Sequence, residues 1–306
     1  MTWSPTGFAE YRERFPATGE LVLDGVADVT AGVIAAWERW AEPMVRHSAL
    51  WSVSRRERTA VVFVRGYLGH YMPGNLVPGR DALRRSGWRA TIVDNAAGGP
   101  IIENVERVLD EIARAPDGFE VVLCGHSRGG IEAWLAALRS PRVVRAVILS
   151  QTPRRRSWVL ESVLLGRHPR GWSRRVREEV QRLGLAMLGA RVGGLELAEI
   201  EAHLGPLGGP WSSGTRSYPV VQTASWSSRP TTWLDSFHER LSELRPGVAH
   251  DGQFYLEDLL WPGPGKVEHV LLPHLDHAQP AMDGFGFDSG RYWQTLVGWV
   301  LSNREA

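Results

Sequence analysis

The 306 residues carry 35 Lys and Arg against 34 Asp and Glu, a formal charge of +1, so charge makes no global case for a nucleic-acid partner. A hydrophobic fraction of 43% supports a large core, yet no apolar run approaches the roughly 18 residues needed to span a bilayer. Cys124 is the only cysteine, which excludes an internal disulfide; together with a first fifteen residues that show no basic-then-apolar leader, this leads us to expect a cytoplasmic protein.

Residues 1–58 read as an N-terminal extension packed on the core. A short strand is expected over 20–23 and a helix over 31–46, capped by Thr30, with Val33, Ile34, Trp37 and Trp40 on one face and Pro43 ending or kinking it. The continuous apolar run over 59–64 predicts a strand covered on both faces. Arg65-Gly66-Tyr67-Leu68-Gly69-His70 follows at once. A helix over 81–86, a buried strand over 90–93 and an amphipathic helix over 102–114 come next, the last with Ile102, Val105, Val108, Leu109 and Ile112 at helical spacing. Pro116-Asp117-Gly118 marks a turn before a strand over 121–124, a helix over 131–139 and a strand over 143–150. This alternation predicts an α/β domain with a mostly parallel central sheet flanked by helices.

The rhythm breaks over 151–217, where Arg-rich sequence, two expected helices (173–188 and 195–204) and a Gly/Pro/Ser-rich exit read as a largely helical cap or lid insertion. Sheet order resumes over 219–224. A helix over 233–244, a last strand over 266–272 and a closing helix over 292–301 complete a core made of 59–150 and 218–306.

The chemistry is concentrated in Gly125-His126-Ser127-Arg128-Gly129-Gly130. An apolar strand, a glycine-flanked serine and an apolar-periodic helix form the pattern of a nucleophile elbow, in which two glycines allow a strand-to-helix turn too tight for side chains. A serine hydroxyl is a poor nucleophile at neutral pH and needs a base, which in turn needs an orienting acid. For an elbow of this kind the acid follows the serine and the histidine comes last. Of the ten histidines, His274 and His277 lie in the loop after the last strand, and His277 is preferred because it lies deeper in that loop; His269 falls inside the strand. Asp251, followed by a turn-forming Gly252, is preferred as the acid over Asp258 and Asp235; Asp276 is disfavoured as a sequence neighbour of the base. Backbone N–H groups of Arg128 and Tyr67, with Leu68 the alternative to Tyr67, are the candidate oxyanion donors. Leu68, His126, Trp158 and Trp226 are candidate pocket residues. No spacing of His and Cys suggests zinc, and no Gly-Lys-Ser/Thr follows the serine as a phosphate loop requires, so neither metal nor cofactor is expected.

Taken together, the strand leading to Gly66-Tyr67-Leu68-Gly69, the elbow, His250-Asp251-Gly252 and Asp276-His277 resemble an α/β-hydrolase of the lipase/esterase type. The stretch 90–130 is similar to bacterial triacylglycerol lipases, and the likeness covers 59–150 and 218–301. Two features depart from it: Arg65 stands where such lipases usually carry His, and 151–217 matches no familiar lid. The resemblance implies a small-molecule acyl ester as substrate, cleaved through an acyl-enzyme on Ser127. A thioesterase or acyltransferase using the same triad is the enzymatic alternative. A non-catalytic binding protein of the same fold is the third reading, disfavoured because all three triad positions are filled.

Overall fold

The apolar runs become strands because parallel strands covered on both faces bury every side chain. The computed structural model describes residues 27–39, 58–67, 69–96, 98–154, 218–228, 232, 235–261 and 267–302. Among the described residues the strands are β1 (Ala27–Asp28), β2 (Thr59–Val64), β3 (Arg89–Ile92), β4 (Glu120–His126), β5 (Val144–Ser150), β6 (Val220–Trp226) and β7 (Val267–Pro273). They form one sheet in the order β1-β7-β6-β5-β4-β2-β3, with every pairing parallel.

The two-residue period of a strand divides the core into two layers. Val61 and Phe63 of β2, Val122 and Cys124 of β4, and Ala146 and Ile148 of β5 face one side. There they meet helices α1 (Thr30–Arg39), α2 (Val77–Arg85) and α7 (Ser289–Ser302), through Val33, Leu83, Trp293 and Leu296 among others. Trp293 packs edge-on against Phe63 at 5.1 Å and donates its indole N–H to the Pro280 carbonyl, so this buried indole has its polar atom satisfied. Val62, Val64, Leu123 and Leu149 point the other way, onto α3 (Ile101–Ala113) and α4 (Arg128–Arg139) through Val105, Val108, Ile131 and Trp134. Two further helices, α5 (Asp235–Leu244) and the single turn α6 (Leu256–Leu259), lie between β6 and β7.

Strand order decides where a site can form. After β2 the chain adds β3 on one side of it, then crosses back to place β4 on the other. The connections leaving β2 and β4 therefore diverge and open a crevice at the carboxyl ends of these strands. Val64 is in register with Gly125, which sets the loop after β2 beside the elbow serine.

Several expected boundaries move. Helix α2 starts at Val77, ahead of the expected 81–86, because Pro78 sits in its first turn, where a missing N–H costs nothing. Helix α4 starts at Arg128, directly after the serine, and not at Ile131. Thr30 is not the simple cap expected of it. The Asp28 carboxylate accepts both the Thr30 amide and its hydroxyl, while Thr30 Oγ1 accepts the Leu271 amide at 2.8 Å and so ties α1 to β7. Ahead of α1, β1 adds an edge strand to the sheet beside Glu268 and His269, a pairing the sequence did not signal. The strand expected over 20–23, the continuation of α1 beyond Arg39, and the insertion beyond Arg154 with its expected helices lie outside the described residues. Among the described residues, no helix is long and apolar enough to cross a membrane.

Candidate active site

Ser127 joins β4 to α4 with φ 55° and ψ −132°, a region that costs a residue bearing a Cβ about 1–3 kcal/mol. The turn is as tight as the glycines imply. A Cβ on Gly125 would stand 2.3 Å from the Gly130 Cα, and one on Gly129 would stand 2.3 Å from the Val64 carbonyl oxygen. The Ser127 amide donates to the Ser150 carbonyl on β5 at 2.8 Å, and the Ser127 carbonyl accepts the Gly130 amide at 3.0 Å. The serine backbone is thus held from both sides while its side chain faces a cavity. Arg128, the next residue, opens α4, and its amide has no carbonyl four residues back within the helix.

His277 and Asp251 come from different loops and meet in the interior, at 3% and 0% exposure. His277 Nδ1 lies 2.7 Å from Asp251 Oδ2. Because a carboxylate only accepts, Nδ1 carries the proton and Nε2 is left as the basic nitrogen. Nε2 is buried and has no hydrogen-bond partner among the described residues. The other carboxylate oxygen, Oδ1, accepts the Gln253 and Phe254 amides at 2.9 and 2.8 Å. That geometry exists because Gly252 turns the chain at φ 94° and the Asp251 amide pairs with the Phe254 carbonyl.

His126 lines the same cavity, but its ring is committed. Its Nε2–H donates to the His277 carbonyl at 2.8 Å, and the two rings lie 5.0 Å apart. Burial pushes its pKa down to about 3, helped by the neighbouring His277, so the ring is neutral and serves as a brace between the elbow and the histidine loop. The Asp276 carboxylate accepts the Ala278 and Gln279 amides at 3.0 and 3.1 Å, capping the short turn Gln279–Ala281 that sets the end of that loop. His274 is exposed with φ 61°, and His269 is a buried strand residue whose Nε2 accepts the Trp261 amide at 3.0 Å.

Ser127, His126 and His277 share their cavity with Gly66, Tyr67, Gln253 from the turn after Asp251 and, from a segment that carries no motif, Asn75. Asn75 is 3% exposed and reaches the cavity from the turn before α2; no sequence signal marked it. Trp226 departs from expectation. It ends β6 inside a separate cluster with Ala249, Phe254 and Leu256 and is not among the described residues that line this cavity; Phe254 of that cluster lies tilted against the His277 ring, centroids 5.1 Å apart. Leu68 and Trp158 lie outside the described residues. Asp258 sits in α6, buried, with its backbone carbonyl accepting the Arg154 amide.

No family model matches the chain. Over 77 residues it is 39% identical to two proteins named probable esterase PIR7A, from the indica and japonica subspecies of Oryza sativa; the match covers 22% of this chain and spans only 29% of the length of those relatives. Among solved structures it resembles the metagenomic carboxyl esterase MGS0156 at a TM-score of 0.62, with 15% identity over 97% of this chain and 100% of that one. It also resembles the mature form of the Bacillus licheniformis lipase BlEst2, at a TM-score of 0.55 and 16% identity over 79% of this chain and 91% of the other. At such identities the likeness is one of fold. With its parallel sheet, its strand order and its glycine-flanked turn from β4 into α4, this chain has the α/β-hydrolase fold.

Proposed function

We propose that the protein is a serine hydrolase that cleaves a carboxylic ester through Ser127, His277 and Asp251. The observation that carries this reading is the buried His277–Asp251 pair at 2.7 Å, with its basic Nε2 buried beside the cavity that Ser127 lines. A paired acid and imidazole placed beside a strained elbow serine is the arrangement that acyl transfer requires. The names of the fold neighbours, a carboxyl esterase and a lipase, and of the short rice match, a probable esterase, support the same class.

In this mechanism the Ser127 hydroxyl attacks the acyl carbonyl while His277 Nε2 takes its proton. Asp251 holds the tautomer and stabilises the imidazolium. Negative charge develops on the carbonyl oxygen, which the amides of Arg128 and Tyr67 stabilise. His277 then returns the proton to the departing alcohol. Water then gives a proton to His277 and bonds through its oxygen to the acyl carbon; as the bond from Ser127 Oγ to that carbon breaks, His277 returns the proton to Oγ and the carboxylic acid leaves.

Labelling by a fluorophosphonate probe, together with turnover of p-nitrophenyl esters of increasing acyl length, tests the reading. Labelling and turnover that both vanish in Ser127→Ala are expected. A folded wild type that neither labels nor turns over esters or thioesters would remove the reading in favour of a binding role. Preference for thioesters over oxygen esters would redefine the leaving group and keep the triad.

A further inference from the structure

Helix α4 packs its apolar residues into the core, yet Glu132, four residues after Arg128, is only 1% exposed. A buried carboxylate is costly unless its lone pairs are filled. Glu132 Oε1 accepts the Asn104 side-chain amide at 2.8 Å and Oε2 accepts that of Asn95 at 2.9 Å. The Arg128 guanidinium supplies the counter-charge, with Nε 3.2 Å from Oε1.

Each of these partners reaches further. Asn95 gives its second amide hydrogen to the Arg65 carbonyl at 2.9 Å, one residue before Gly66-Tyr67. Asn104 gives its second hydrogen to the Ala96 carbonyl at 3.0 Å and accepts the Ala96 amide at 2.7 Å. The Arg128 guanidinium donates to the Gly99 carbonyl and lies 5.5 Å from the centre of the Tyr67 ring. One carboxylate is therefore connected to both halves of the site. One connection is the side chain of Arg128, whose amide is one oxyanion donor. The other, through Asn95, is the root of the loop that carries Tyr67.

We infer that Glu132 is a positioning residue of the oxyanion hole: through Asn95 and Arg128 it sets the separation of the two donor amides, which belong to different segments of the chain. The inference rests on the serine-hydrolase reading above. Donors aimed at a developing charge work only if they are in place before the reaction, and small displacements remove most of their effect. Glu132 touches no reacting atom. Its contribution is to hold Arg65 and Arg128 against one body. The replacement that discriminates is Glu132→Gln. Asn95 and Asn104 have already committed both hydrogens, so a glutamine amide would confront one of them donor to donor and leave Arg128 without its counter-charge.

The test compares wild type, Glu132→Gln and Asn95→Ala in kcat and KM on a p-nitrophenyl ester, in affinity for an alkylboronic acid that forms a tetrahedral adduct with the serine, and in Tm. Both variants are expected to lose about 10- to 100-fold in kcat and in boronic-acid affinity alike, with KM held within about threefold. A purely structural role would lower Tm and leave kcat and boronic-acid affinity of the folded protein within about threefold of wild type, which would overturn the inference. If Glu132→Gln does not fold, Asn95→Ala, which keeps the buried ion pair, decides by the same readouts; failure of both to fold would assign the network to stability and overturn it too. An active wild type with equally active variants removes this inference alone. A wild type without labelling or turnover removes the serine-hydrolase reading and this inference with it.

Discussion

His277 and Asp251 are joined twice, by Nδ1 to Oδ2 at 2.7 Å and by the His277 amide to the Asp251 carbonyl at 2.8 Å. The backbone bond sets the spacing of the two loops, and the side-chain bond then sets the ring. On its other side the His277 carbonyl accepts the His126 Nε2–H. Main-chain groups of Asp251 and His277 and the ring of His126 thus lace the acid loop, the histidine loop and the elbow strand together, and the imidazole is oriented before any substrate arrives.

Asp251→Asn keeps the shape and reverses the logic. Oδ1 would still accept the Gln253 and Phe254 amides, but the new NH₂ would face Nδ1 and drive the proton to Nε2. We expect kcat to fall by about 10⁴-fold with the fold intact, as read by ester turnover and circular dichroism. Retention of more than about a tenth of the activity would exclude Asp251 as the orienting acid.

The strain at Ser127 is measurable. Ser127→Gly relieves a φ of 55° at a cost in unfolded-chain entropy, so relative to Ser127→Ala it should be about 1 kcal/mol more stable, with neither variant active. Urea unfolding of the two proteins gives the difference directly. Equal stability would show that the elbow is unstrained.

Gly125→Ala and Gly129→Ala push a Cβ into backbone at 2.3 Å in each case, and backbone cannot swing aside as a side chain can. A loss of about 3 kcal/mol or more is expected, with impaired turnover in any protein that folds. Thermal melts and soluble yield report it.

Three buried imidazoles make the fold acid-sensitive. Burial pushes His126 down to about 3 and both His250 and His269 down to about 4, from an ordinary 6.5. Below 6.5 the unfolded chain binds protons that the folded chain refuses, so stability is at its full value above that pH and is lost as pH falls toward 4. His269→Gln should make the stability–pH curve shallower by about 1.4 kcal/mol per pH unit between about pH 4.5 and 6, and leave it unchanged above about 7. Urea midpoints across that range check it; an unaltered slope would mean that His269 is protonated in the folded state.

The legible parts of this protein are those encoded by neighbours along the chain. Apolar runs over 59–64 and 143–150 announce doubly covered strands, and glycines two positions either side of Ser127 announce the elbow, because both depend on local sterics. Glu132 left one trace, a lone carboxylate in an apolar helix, but its meaning needed Asn95 and Asn104, which are 37 and 28 residues away. Trp226 is the converse case: an aromatic at the end of a strand does not reveal that it packs with Phe254, Ala249 and Leu256.

Sequence by itself determined the class of fold and the seat of the serine. Only the tertiary structure decided that Asp251 meets His277 at 2.7 Å, that Asp258 is taken up in α6, and that Asn75 and Glu132 belong to the site's surroundings. A turn or strand is fixed by steric contacts within a few residues of chain. The distance between a carboxylate and an imidazole 26 positions apart is fixed by how β6, β7 and their loops stack in the sheet.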